Sequence, residues 1–217
     1  ALYGYLVEDG DDNGDGKLSV EEAKGIYGIQ VYLEEGMSRI RSFKNISKYC
    51  PNFMSFTCYD YGDIEGELTT LTTAGIEEFA KIIETNGRGF NAMTLIGVQF
   101  ENPEDLTKLN KLQGISIAKS NLTNVDFITK ENFPDCKYIE LRENDIEKLP
   151  ASIGEMTDLW QLDVSDCGLK ELPDISGLVN LELLRVGNNE LTTLPDLTKM
   201  SKLDGESSYF YRNLLTE

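Results

Sequence analysis

Residues 181–191 read LELLRVGNNEL, which places Leu181, Leu184, Val186, Asn189 and Leu191 in the frame LxxLxLxxNxL. The frame recurs upstream. LWQLDVSDCGL (159–169) fills it with Leu159, Leu162, Val164, Cys167 and Leu169, and CKYIELRENDI (136–146) with Cys136, Ile139, Leu141, Asn144 and Ile146. LQGISIAKSNL (112–122) and FNAMTLIGVQF (90–100) are two further copies, with Ser120 and Val98 where the asparagine stands. The starts at 90, 112, 136, 159 and 181 lie 22, 24, 23 and 22 residues apart. A fixed period of that size marks stacked coils, each burying its apolar residues against the next. Weaker copies begin at Phe53 (FMSFTCYDYGDI) and at Ile26, with Ile29 and Val31, so the repeated core reaches nearly to the N-terminus.

Alternation within LxLxx puts one short strand of each coil into a parallel sheet with the ruled residues pointing inward. The asparagine turns the chain out of the strand. Buried there, it can bond backbone groups of two adjacent coils; Ser120 and Cys167 can do so only in part and Val98 not at all, so the ladder is expected to be weakest around Val98. The step from 53 to 90 is longer, and its surplus holds AGIEEFAKIIET, where Ile76, Phe79, Ala80 and Ile83 recur at helical spacing. This predicts a helical insert near 74–85. Other returns, such as LPASIGEMTDL and LPDISGLVNL, suffice for a turn or two. A frame from Leu203 breaks down at once, and the segment near 203–217 is expected to cap the open end with Tyr209, Phe210 and Leu214 as plugs. The pattern resembles the leucine-rich-repeat family, of the exported bacterial kind with 22- or 23-residue units, over residues 26–217. That resemblance implies an α/β leucine-rich-repeat solenoid with a parallel concave sheet and short convex helices or turns.

Ahead of the repeats, residues 11–22 read DDNGDGKLSVEE and match the twelve-residue EF-hand loop at each ruled position. Asp11, Asn13 and Asp15 stand at positions 1, 3 and 5, Gly16 at the sharp turn, Lys17 where a backbone carbonyl is used, Ser19 at position 9 and Glu22 at the bidentate position 12. Hard oxygen donors of this kind select Ca²⁺, and Mg²⁺ fits less well because its six-coordinate geometry resists a bidentate glutamate. Calcium sensors pair two loops; here one precedes the first repeat. Residues 1–25 are therefore expected to form an EF-hand-like calcium-binding cap over the first coil of a repeat domain at 26–217, with a regulatory switch as the alternative. A calcium loop followed by repeats is similar to exported bacterial leucine-rich-repeat proteins with calcium-loop fronts. The DxNxDGK opening is also similar to that of dockerins, which use two such loops. A lone loop of extracellular type binds calcium at about 10⁻⁴ to 10⁻³ M, too weakly to fill in a cytosol, so the expected location is extracellular or at the cell surface.

Composition narrows the chemistry. Twenty Lys+Arg against 38 Asp+Glu leave a net charge of -18, which repels phosphate backbones and argues against nucleic acid. No histidine is present, which excludes histidine-based triads, dyads, general bases and imidazole metal sites. No apolar run has the roughly 18–20 residues of a membrane span. Ala1 opens straight onto an apolar-periodic stretch, as expected of a mature or trimmed chain. Cys50, Cys58, Cys136 and Cys167 read as small buried hydrophobes with free thiols, a Cys50–Cys58 bridge being the alternative.

The outward strand residues line the concave side, where solenoids hold partners. Its middle is small and flat. The C-terminal rows present Tyr138, Arg142, Gln161, Asp163 and Arg185, with Trp160 at the strand edge, and Tyr and Arg are enriched at interface hot spots. A solvated face with Glu140/Arg142 and Asp163/Arg185 ion pairs is the competing reading. Glu140 and Asp163 lie on a flat sheet beside arginines and offer no cleft for a glycosidase pair, so no catalytic residue is expected. The sequence thus predicts a monomeric, non-enzymatic binding module for a protein partner. The alternative is a structural or glycan-binding surface component, or a non-catalytic part of a larger chain.

Overall fold

The computed structural model describes residues 2–33, 43, 46–60, 69–85 and 91–216; Phe90 and the Tyr61–Ile64 end of the copy at Phe53 lie outside them. The chain divides into two compact units, Ala1–Leu112 and Gln113–Glu217. The first contains α1 (Leu2–Gly10), α2 (Val20–Lys24), β1 (Gly28–Leu33), α3 (Ile46–Tyr49), β2 (Ser55–Asp60), β3 (Thr70–Leu71), α4 (Thr73–Thr85), β4 (Ala92–Ile96), β5 (Gln99–Phe100) and a 3₁₀ helix at Pro103–Leu109. In the second are β6 (Gly114–Ala118), β7 (Tyr138–Glu140), a 3₁₀ helix at Ala151–Glu155, β8 (Gln161–Asp163) and β9 (Leu183–Arg185). Among the described residues no helix is long and apolar enough to cross a membrane.

The ladders β1–β2, β2–β4, β6–β7, β7–β8 and β8–β9 are parallel, and their register follows the sequence frame. In the first unit Ile29 pairs with Phe56 and Phe56 with Met93, while Val31 pairs with Cys58 and Cys58 with Leu95. In the second unit Ile115 pairs with Ile139, Ile139 with Leu162, and Leu162 with Leu184. Residues at one frame position therefore stack into one buried column. All ten of these side chains are buried. Alternation fixes this register, because a slip of one residue would carry the whole apolar set to the other face.

The asparagine position works as its chemistry predicts. Asn189 donates through Nδ2 to the carbonyls of Val164, Val186 and Gly187, and its Oδ1 accepts the N–H groups of Cys167 and Leu169. Asn144 likewise donates to Ile117, Leu141 and Arg142 and accepts from Ser120. Cys167 manages only two thiol contacts, to the carbonyls of Leu141 (3.1 Å) and Ser165 (3.4 Å). Ser120 makes one to the Ala118 carbonyl.

The residue before each such position in the second unit is left-handed: Lys119, Glu143, Asp166, Asn188 and Arg212 all have φ between 51° and 57°. Gly97 holds the same place in the first unit, at φ 73°.

One further coil follows the last frame read from the sequence. Arg185 and Tyr209 form a parallel bridge, and Asn213 repeats the asparagine bonds, donating to Val186, Phe210 and Tyr211 and accepting from Leu191 N–H. The frame there is GESSYFYRNLL, starting at Gly205, two residues beyond the Leu203 start. Of the expected plugs, Tyr209 and Phe210 are half-buried, whereas Leu214 is exposed.

The helical insert is α4. It buries Ile76, Phe79, Ala80, Ile82 and Ile83, and Phe79 joins Phe43 and Phe56 in an aromatic cluster with centroids 4.9–6.3 Å apart. Phe56 belongs to β2, so α4 packs against the inward side of that strand.

All four cysteines are buried free thiols. Burial raises the Cys50 thiol above its ordinary range and pushes Cys136 and Cys167 up to about 12. A folded-state value raised above the unfolded one means stability is full below the unfolded thiol value and is lost as pH climbs towards the folded value. We expect a disulfide-exchange reagent at mildly alkaline pH to find no reactive thiol in the native chain and four in denaturant; rapid native labelling of Cys136 or Cys167 contradicts their burial.

Candidate functional site

Two groups of residues carry chemistry, one in each unit. The first is the loop between α1 and α2. Gly16 takes φ 77°, the left-handed turn that position needs, and a Cβ there would meet nothing within 4 Å. Asp11 closes the loop on itself: its Oδ1 accepts the N–H groups of Gly14 (2.9 Å) and Asp15 (3.1 Å), and its Oδ2 that of Gly16 (2.7 Å). Asn13 Oδ1 accepts from Asp15 N–H and Asp15 Oδ1 from Lys17 N–H, both at 2.9 Å. Short Asp and Asn side chains make such turns because their oxygens reach backbone N–H groups two residues on.

Glu22 joins the far end to this turn. Its Oε2 accepts the Ser19 N–H (2.8 Å) while Ser19 Oγ accepts the Glu22 N–H (3.2 Å), a capping box that starts α2. Its Oε1 reaches across to the Asn13 N–H and Nδ2. Bonding with Ser19, side chain first and then backbone, with smaller help from the Asn13 and Asp12 N–H groups, holds the Glu22 carboxyl below its ordinary value. The far end of the twelve-residue loop, Glu22, is thus tied back to Asn13 near its start.

Chemically this donor set fits calcium. It offers three carboxylates (Asp11, Asp15, Glu22), the Asn13 amide oxygen, the Ser19 hydroxyl and the Lys17 carbonyl, all hard oxygens. Among the described residues no three His, Cys, Asp or Glu side chains gather into a group that could hold a metal ion, so Asp11, Asp15 and Glu22 are not preassembled here. Loop and helix α1 are tied to the repeats: α1 packs against β1, and α2 against α3.

The second group lies on the outward side of β6–β9. Its central row is Ser116, Glu140, Asp163 and Arg185, in register across the four strands. Glu140 accepts from Ser116 Oγ (2.7 Å) and from Gln161 Nε2, and Asp163 accepts from the Ser165 hydroxyl and N–H. Arg185 lies 3.7 Å from Asp163, donates through Nε to the Ser207 carbonyl and sits 5.1 Å over the Tyr209 ring. Gln161 and Asp163 are consequently buried, at 5% and 4% exposure, rather than displayed. The Asp163–Arg185 pair forms as the sequence suggested, but Arg142 turns to its neighbour Glu143, at 2.6 Å, and not to Glu140.

Along one side of this ladder runs an apolar ledge. The Tyr138 ring lies on Gly114, so close that a Cβ there would come within 2.1 Å of it, and Trp160 packs beside Tyr138 at 5.9 Å. Gly187 is covered by Tyr211 at 3.4 Å in the same manner. Sequence reasoning missed Tyr209 and Tyr211 as members of this face; the signal was the asparagine at 213, 24 residues after Asn189.

No family model matches the chain, and none of the curated proteins does. Solved structures do. A leucine-rich-repeat protein of Leptospira interrogans superposes with a TM-score of 0.59 at 20% identity, over 85% of this chain and 50% of that one. The functional domain of InlJ from Listeria monocytogenes, described as including a cysteine ladder, gives 0.59 at 14% identity, over 92% of this chain and 42% of its own. This chain spans half or less of the length of those structures. Parallel ladders in frame register, with buried Asn144 and Asn189 turning two of the coils, make this the leucine-rich-repeat fold.

Proposed function

We propose that the chain is an exported bacterial leucine-rich-repeat module that binds calcium through its N-terminal loop and a protein partner through the outward face of its second unit. The observation that carries the partner reading is the Tyr138 ledge. A rigid aromatic seated on Gly114, next to Trp160 and four residues along the chain from a partly exposed Arg142, has the composition of an interface hot spot. Gln161, Asp163 and Arg185 belong to this face as its bonded ladder. No catalytic role is assigned, because Glu140 and Asp163 are both committed to neighbours inside the ladder. Likeness in fold to proteins of Leptospira and Listeria supports a bacterial source, and the weak affinity of a lone calcium loop supports export. We take the module to act as a monomer.

With a partner in hand, Tyr138→Ala should weaken binding about tenfold or more and Arg142→Ala several-fold, whereas Lys199→Ala, exposed on a return segment, should leave it unchanged. Equal losses for all three, or a contact mapped to the return segments, contradict the assignment. Ser116 is no neutral control here, since it is buried and bonded to Glu140.

Calcium should stabilise the fold by mass action. At about ten times a millimolar-class Kd the gain is ~1.4 kcal/mol, so chelation should lower Tm by about 3–6 °C without unfolding the repeats. Differential scanning with and without a chelator reads this directly, and complete unfolding on chelation would show that the ion does more than staple the cap. A structural or glycan-binding role is the second reading, favoured by one feature of the first unit.

A further inference from the structure

The outward positions of β1, β2 and β4 carry no charge. Two rows matter: Gln30, Thr57 and Thr94 in register, and beside them Tyr32, Tyr59 and Ile96. The third row, Gly28, Ser55 and Ala92, is small. In a chain with 58 charged residues (20 and 38) this is a neutral window, and it contrasts with the second unit, whose outward rows hold Glu140, Arg142, Asp163 and Arg185.

The polar groups in that window share a property. An amide, two threonine hydroxyls and two phenols each donate and accept, and none is restricted to one role as a carboxylate or ammonium is. Sugar hydroxyls require just such dual partners. Beside the polar row the Tyr32 and Tyr59 rings stack at 4.8 Å and 4°, matching the strand spacing, and Tyr32 is 49% exposed. Stacked rings of this kind are rigid, and an exposed tyrosine face with a polar tip suits the C–H faces of pyranose rings. A charged ligand would gain nothing here, and the net charge of -18 disfavours an anionic one.

We propose that the outward face of β1, β2 and β4 binds an uncharged oligosaccharide, which stacks on Tyr32 and hydrogen-bonds to the Gln30, Thr57 and Thr94 row. This rests on the second reading given above and is independent of the Tyr138 ledge. The test is calorimetric titration of the full chain with cellohexaose, maltohexaose, mannohexaose and chitohexaose, alongside an anionic hyaluronan hexasaccharide. At least one neutral sugar should bind with a Kd below about 1 mM, with little sensitivity to salt. Tyr32→Ala should weaken it about tenfold and Gln30→Ala several-fold, with Tyr138→Ala without effect. Tyr32 and Gln30 are exposed, so circular dichroism should show both variants folded. The proposal is overturned by any of three results: no heat from the four neutral sugars at about five times that concentration, tighter binding of the anionic one, or undiminished binding by Tyr32→Ala. If Tyr32→Ala instead weakens a protein partner, the face is a protein-docking surface and the sugar assignment fails while the Tyr138 reading is judged on its own variants.

Discussion

Asn189→Ala is expected to destabilise the chain by about 4 kcal/mol, among the largest effects of any single truncation at its surface or core. The side chain is buried and bonded both within its own coil and to the preceding one. Its removal orphans the Val164 carbonyl and the N–H groups of Cys167 and Leu169 in a place water does not reach, while the Val186 carbonyl keeps its bond from Asn213, and each orphan costs ~1–3 kcal/mol before relaxation. The matching fall in Tm is roughly 8–16 °C. Asn144→Ala should behave similarly. Asn213→Ala should cost only about 1 kcal/mol, because Asn213 is half-buried and water can replace part of what it loses. Equal effects at 189 and 213 would mean that the ladder stabilises through local turns rather than by joining coils.

Gly97→Ala should be comparably damaging, for a different reason. Gly97 and Gly168 share a left-handed backbone, at φ 73° and 77°. A Cβ at Gly97 would stand 1.8 Å from the Asp60 carbonyl oxygen, whereas one at Gly168 meets nothing within 4 Å. Left-handed strain alone costs ~1–2 kcal/mol, so Gly168→Ala should lose about 1 kcal/mol. Gly97→Ala adds the displacement of a neighbouring strand end and should exceed about 3 kcal/mol. Urea unfolding of the pair separates the terms, since the conformational cost is common to both.

Much of this was legible from apolar spacing because the frame and the strand register are the same regularity seen twice. Ile139, Leu162 and Leu184 occupy one column since their sequence positions are equivalent. The helix α4 announced itself by its period. The last coil did not, because Gly205 and Ser208 stand where apolar residues stand elsewhere, and Phe210, Asn213 and Leu215 alone kept the pattern. The left-handed row was invisible for a related reason: Lys119, Glu143, Asp166, Asn188 and Arg212 share a backbone angle but no side-chain type. Outward direction was read correctly for Gln161 and Asp163, yet direction is not exposure. Ladder partners from adjacent strands cover them, and such cover depends on neighbours 21 and 22 residues away.

The calcium loop is the reverse case, with a local motif whose geometry follows from a dozen consecutive residues. Asn13 is bonded to Glu22 and to the Asp15 N–H, and Asp11 to the Gly14 and Gly16 N–H groups, so the loop's shape is set by its own bonds.

The most direct test of a calcium-stapled repeat module is isothermal titration of chelator-treated protein with calcium. One ion per chain should bind with a Kd of about 10⁻⁴ to 10⁻³ M, and Glu22→Gln and Asp11→Ala should each abolish the heat, with circular dichroism showing the repeats still folded although each variant loses bonds that close the loop. Absence of heat with the unsubstituted chain, or binding that survives both substitutions, would contradict the assignment of Asp11–Glu22 as the calcium site.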